Sequence, residues 1–244
     1  MQNLNKIYFG IFLISLATLA LEISLIRFFS ISQWYHFAFM VVSIALFGIA
    51  ASGTFLTIKK LKEPLFISSI LFSLSVLIGF FITNNIIFDP FKAIVNFNHI
   101  FVLLVYYIFL GLPFFFFGVI IAYSFSILQK QSGKVYFYNM LGSAIGTLAS
   151  LFFISIFNIK TIFVISLLGL SSSLFFIEST IQKNTIFEKS IKKLKNINNK
   201  KIIFILIAIN LLLFFIPIEL NISKYKELSQ ALNVPNFKLI DTKY

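Results

Sequence analysis

Seven apolar runs, most of them about 20 residues long, divide this chain, and almost every charged residue falls between them. That spacing is the main constraint on the fold. A run of this length spans the hydrocarbon core of a bilayer as an α-helix, and in hydrocarbon each backbone N–H and C=O must be satisfied within its own segment. The runs extend from Ile7 to about Phe29, Trp34 to Ile58, Leu65 to about Ile82, Ile100 to Leu128, Val135 to Phe157, Thr161 to Ile177 and Ile202 to Ile218. The expected fold class is therefore all-α: a polytopic transmembrane helix bundle of about seven spans over 1–218, followed by a tail over 219–244. Composition agrees, with 59% hydrophobic residues, 11% charged residues and a mean hydropathy of +0.98, far from a soluble domain's balance.

Loop charges set the expected orientation, because short cytoplasmic loops collect Lys and Arg. If alternate connections share a side, one side holds Lys6, then Lys59, Lys60 and Lys62, then Lys130 and Lys134, then seven lysines between Lys183 and Lys201. The other side holds Arg27, Lys92 and Lys160. Thirteen against three puts the N-terminus in the cytoplasm. The expected location is a bacterial inner membrane, and the expected partner is the lipid bilayer. Topology also accounts for the formal charge of +12, which gives no reason to expect nucleic acid. Lys224, Lys226, Lys238 and Lys243 in the tail argue against an outside C-terminus and leave the crossing of the last run open. The first run continues past a signal-like Thr18-Leu19-Ala20, so a retained span is expected there.

Within the runs, three features carry chemistry or packing. Glu22 is the one acid deep inside an apolar run, where insertion costs roughly 2.5–3.5 kcal/mol unless protein or water receives it. Arg27, Trp34, Tyr35 and His36 lie toward the same outer boundary. Glu22 and Arg27 are about 140° apart around a helix and do not share a face. A polar pocket of Glu22 with Tyr35 and His36 is one reading. An interfacial aromatic belt with a snorkelling Arg27 is the other. Next, Gly111 and Pro113 interrupt the fourth run, which predicts a kink or a break there. Last, Gly48 with Ser52, and Gly142 with Gly146, are small-xxx-small pairs that let helix backbones approach. The segment from Glu178 to Lys201 reads as a basic amphipathic helix on anionic lipid or as a solvated connector. No Cys is present, and His36 and His99 alone cannot make a metal cluster. No metal or cofactor is expected, and His99 reads as an interfacial residue.

Several blocks share a resemblance. Leu21-Glu22-Ile23-Ser24-Leu25-Ile26-Arg27-Phe28-Phe29-Ser30 with Trp34-Tyr35-His36-Phe37-Ala38-Phe39 resembles the start of the membrane region of spermidine synthase-like proteins. Leu112-Pro113-Phe114-Phe115 with Gly118 resembles a later part, as does the stretch from Gly133 through Tyr136 and Asn139 to Gly142 and Gly146. The family pattern has Asp where Asn139 stands, so no charged role carries over. Tyr225 to Leu232, with Ile240-Asp241-Thr242, resembles the entry to the family's soluble domain. The resemblance implies a polytopic membrane module and, as partner, an aminopropyltransferase-like domain that follows the chain or is separately encoded. This chain has neither the Gly-rich loop after a strand nor the paired acids that aminopropyl transfer requires, and no catalytic residue is expected in it. It resembles a membrane region cut from a longer protein, or a split gene product. A small transporter or channel built on Glu22 and the Pro113 break, and a structural anchor, remain the alternatives.

Overall fold

The computed structural model describes residues 2–33, 35–59, 63–86, 97–177 and 186–220. Among these, all regular structure is helical: α1 (Gln2–Ser32), α2 (Tyr35–Ile58), α3 (Pro64–Asn85), α4 (Phe97–Ile127), α5 (Ser132–Phe157), α6 (Thr161–Phe176) and α7 (Ile186–Phe215). Short 3-10 turns at Gln129–Gln131 and Asn158–Lys160 precede α5 and α6. Five helical stretches are long and apolar enough to cross a membrane: Leu4–Ser32, Ala38–Ile58, Pro64–Asn85, Phe101–Ile127 and Gln129–Phe176. They suggest a membrane protein. The last of these folds back on itself, because Asn158 takes a positive φ of 50° and Thr161 Oγ1 donates to Phe153 O at 2.9 Å. In a continuous helix those residues would lie about 12 Å apart.

Successive helices run in opposite directions. Gly142 and Gly146 of α5 meet Phe12 and Leu16 of α1 in the same order along both helices, so α1 and α5 are parallel. Gly48 and Ser52 of α2 meet Gly111 and Gly118 of α4 in the same way. Phe72 meets Gly169 while Phe80 meets Phe163, so α3 and α6 are antiparallel. Helix α1 is central, with Ile11, Ile14, Ala17 and Leu21 fully buried between its neighbours.

The α5 sequence explains why this bundle suits lipid. Its buried residues are Val135, Asn139, Gly142, Gly146, Ser150 and Ile154, a single stripe of mostly small or polar side chains. Its exposed side carries Phe137, Leu141, Leu148, Phe152 and Ile156. A soluble helix does the reverse. In a bilayer, tails are as apolar as leucine, so helices associate through close backbone packing and dispersion rather than by hiding apolar surface. Serines and threonines inside the helices bond to carbonyls one turn back, as Ser15 does to Ile11 O (2.8 Å), Thr18 to Ile14 O (2.7 Å) and Ser24 to Ala20 O (2.7 Å), which satisfies each hydroxyl locally.

Two expectations are corrected here. Helix α4 is continuous through Pro113, so of the kink or break expected at Gly111 and Pro113, the break does not occur. Gly48 of α2 gives the backbone room there: an added Cβ on it would lie 2.7 Å from the Gly111 carbonyl oxygen and 3.0 Å from Phe114 Cβ. The basic segment and the last apolar run are also not separate elements. Ile186–Phe215 is one helix, ending short of Ile218, because Pro217 disfavours helix at the residue before it.

Candidate functional site

Glu22 and Arg27 both lie on the C-terminal half of α1, five residues apart. Glu22 is half-buried and Arg27 is exposed. Among the described residues neither forms an ion pair with the other. Tyr35 opens α2 and His36 follows it, which places their backbones just past the end of α1. Trp34, and the side chains of Tyr35, His36 and His99, lie outside the described residues. No group of three His, Asp or Glu side chains that could hold a metal ion occurs among the described residues. A small cavity of about 20 Å³ does open beside this half of α1, between Phe29, Ser32, Thr83, Asn84 and Leu220. It is large enough for about one water, and Glu22 does not line it.

Polar groups converge instead at the ends of α1, α3 and α4. Tyr106 Oη donates to Thr83 O at 3.0 Å and also contacts Ile86 O, tying α4 to the end of α3. Gln33 is buried, and its Oε1 has no partner among the described residues. Asn84 Nδ2 donates to Glu219 O at 3.1 Å. That contact places the residues after α7 at the same end of the bundle as Ser32 and Asn85, opposite the loop that carries Lys59.

The second family-like block sits elsewhere. Asn139 faces α1, where Ser15 Oγ lies 2.8 Å from Asn139 Oδ1 and 2.8 Å from Ile11 O. One hydroxyl proton serves only one acceptor. With the Asn139 amide turned about its axis, its N–H donates to Ser15 and both contacts are satisfied. Tyr136, one turn earlier on α5, is exposed. Ser15 is seven residues before Glu22, roughly 10 Å along the helix, so Asn139 and Glu22 form two separate polar regions. Tyr8 extends the Asn139 region by stacking on Tyr138, with ring centroids 5.3 Å apart, and by donating to Gln131 Oε1.

One polar cluster escapes reading by sequence. Ser73 Oγ of α3 donates to Ser166 O of α6 at 2.9 Å, Ser166 Oγ donates to Ser73 O at 3.2 Å, and Asn210 Nδ2 of α7 donates to Ser166 Oγ at 2.6 Å. All three residues are buried, and Asn210 Oδ1 has no partner among the described residues. A signal for it did exist: Asn210 is the one polar residue between Ile202 and Phe215. The same reasoning that singles out Glu22 applies to it.

These geometries support hydrogen-bonded helix packing, and they assemble no reacting constellation among the described residues. They also predict the behaviour of Glu22. With no described hydrogen-bond partner to orphan, Glu22→Leu is expected to unfold at a Tm equal to or above that of the wild type, since it removes a carboxylate from an apolar run. A marked loss of folded yield in detergent would show instead that Glu22 is held by a polar partner. Searches of protein-family models, curated proteins and solved structures find no match to this chain.

Proposed function

We propose that this chain is the integral membrane module of a spermidine synthase-like protein, a bundle of seven spans that carries no aminopropyl-transfer site of its own and serves a catalytic domain encoded with it. One observation supports this reading above the others. Two of the blocks that carry the resemblance supply the glycines at which an added Cβ would lie nearest a neighbouring helix: Gly142 and Gly146 lie against the α1 backbone, and Gly118 lies against Ile49 and Ser52. Packing chemistry accounts for those residues without any catalytic role. The resemblance is then one of membrane architecture.

The position of α7 supports the seventh span. Asn210 meets Ser166 and, through it, Ser73, near the middle of α6 and α3, while Glu219 lies beside Asn84 at one end of the bundle. The helix therefore extends from mid-height to that end, and its lysine-bearing start points the other way. Under this proposal α7 crosses, and a domain following it lies opposite the Lys59 loop.

Two experiments test the proposal. Sequencing the DNA beyond the codon for Tyr244 should reveal a Gly-rich nucleotide-binding domain, in frame or in a neighbouring gene. Unrelated sequence there would overturn the module reading and favour an anchor or a transporter. Topology is tested separately. Because the chain has no Cys, single cysteines at Lys59 and Lys201 can be labelled in intact cells without background. Both are expected to resist membrane-impermeant maleimide, while a cysteine at Arg27 is expected to react. Labelling at Lys59 or Lys201 would reverse the orientation.

A further inference from the structure

An apolar cavity of about 150 Å³ opens between α2, α3 and α4, lined by Phe55, Pro64, Ile67, Ser68, Phe115 and Val119 among others. Ser68 and Val119 form its buried floor, while Ile67 stands at an exposed edge. The Ser68 hydroxyl is the only side-chain polar group among those six residues. Walls of this composition favour an apolar guest over water. Left empty, its walls would lose dispersion contacts on one side. The exposed edge is continuous with the apolar outer face of α3, where Leu71 and Ile78 are also exposed. In a bundle that spans a bilayer, that face meets acyl chains.

Charge marks one end of the cavity. Lys59 directly follows α2, is exposed, and lies one turn beyond Phe55, with its N–H donating to Phe55 O at 2.9 Å. Residues four apart share a helix face, so Lys59 sits above the cavity wall that Phe55 forms. In sequence, Lys60 and Lys62 follow, and Glu63 at the head of α3 is the acid in this stretch. Three lysines against one glutamate favour an anion.

We propose that this cleft is a binding site for an anionic phospholipid, with an acyl chain in the cavity between α2, α3 and α4 and its phosphate-bearing headgroup at Lys59. The lipid comes from the leaflet on the side of the α2–α3 loop. The site is separate from the Glu22 region and does not depend on the module reading. It requires only that the helices span a bilayer.

The test uses the full chain extracted in mild detergent and incubated with equal amounts of phosphatidylglycerol and phosphatidylcholine of identical chains. Native mass spectrometry should show one retained lipid, predominantly phosphatidylglycerol. Lys59→Gln, at an exposed position, should lower that preference about fivefold. Ser68→Leu, which fills the cavity floor, should abolish retention of both lipids. Should Ser68→Leu fail to fold, thermal unfolding of the wild type gives a second reading, in which phosphatidylglycerol raises Tm more than phosphatidylcholine. Equal retention of the two lipids, an unchanged preference in Lys59→Gln, or full retention by a folded Ser68→Leu would each overturn the proposal.

Discussion

Gly146→Leu is expected to remove most of the folded protein. A Cβ on Gly146 would meet the Leu16 backbone, its Cα at 2.8 Å and its carbonyl carbon at 2.9 Å. Those are backbone atoms of the central helix, and no side-chain rotation relieves the clash. The rest of the leucine would force α5 away from α1. Overpacking in a well-filled core typically costs about 1–3 kcal/mol, and this substitution belongs at or above the upper end because the obstacle is main chain. Separation would also remove the Ser15–Asn139 contact one to two turns away. Gly53→Leu is the matched control, since an added Cβ there meets nothing within 4 Å. It should fold normally, with a small gain from helix propensity. Size-exclusion profiles and Tm in detergent compare the two. If Gly146→Leu accumulates and melts like Gly53→Leu, the α1–α5 contact does not hold the bundle together.

Ser166→Ala is expected to cost more than Asn210→Leu, although Asn210 is the larger and more polar residue. Removing the serine hydroxyl leaves the Asn210 amide buried with neither its N–H nor its carbonyl paired, a penalty of about 1–3 kcal/mol. Removing Asn210 takes away one interhelical hydrogen bond, on average about 0.6 kcal/mol in a membrane, and also removes an acceptor that is already unpaired. The double variant should recover much of the loss seen in Ser166→Ala. A double-mutant cycle on Tm or on denaturant midpoint reads this directly. If Asn210→Leu proves the more damaging change, the amide has a further partner and holds α7 more firmly than its one described bond implies.

The position of the helices was legible in the chain, and the reason is the solvent. A bilayer demands some twenty apolar residues per crossing and leaves no backbone group unpaired, so apolar runs and lysine-bearing loops mark most of the boundaries. Helices α3, α5 and α6 begin within three residues of the positions read from sequence, at Pro64, Ser132 and Thr161. The small residues of α5 were legible for a related reason. Gly142 and Gly146 recur at the interval that places them on one helix face, and only small residues let backbones approach.

Partners were not legible, because an apolar helix has no single face that names its neighbour. Every side of α5 reads as membrane-compatible, and only the folded bundle decides that its small stripe meets α1. The continuity of α4 through Pro113 depends on neighbours such as Gly48 that accept the local backbone. The union of the lysine-rich segment with the last apolar run into α7 depends on helix formation carrying through a run of polar residues. Glu22 drew attention as a lone acid, yet the tertiary structure builds its buried polar contacts around Ser15, Asn139, Ser73, Ser166 and Asn210. The serines among them are unremarkable one at a time. They acquire meaning only when helices distant in sequence bring two hydrogen-bonding groups to the same depth, away from water. Sequence by itself determined that the described residues are helical, where most of these helices begin, and that they fit a lipid bilayer. Tertiary structure decided which helices touch and which polar groups are paired, because those outcomes depend on the fit of whole surfaces rather than on the composition of any one segment.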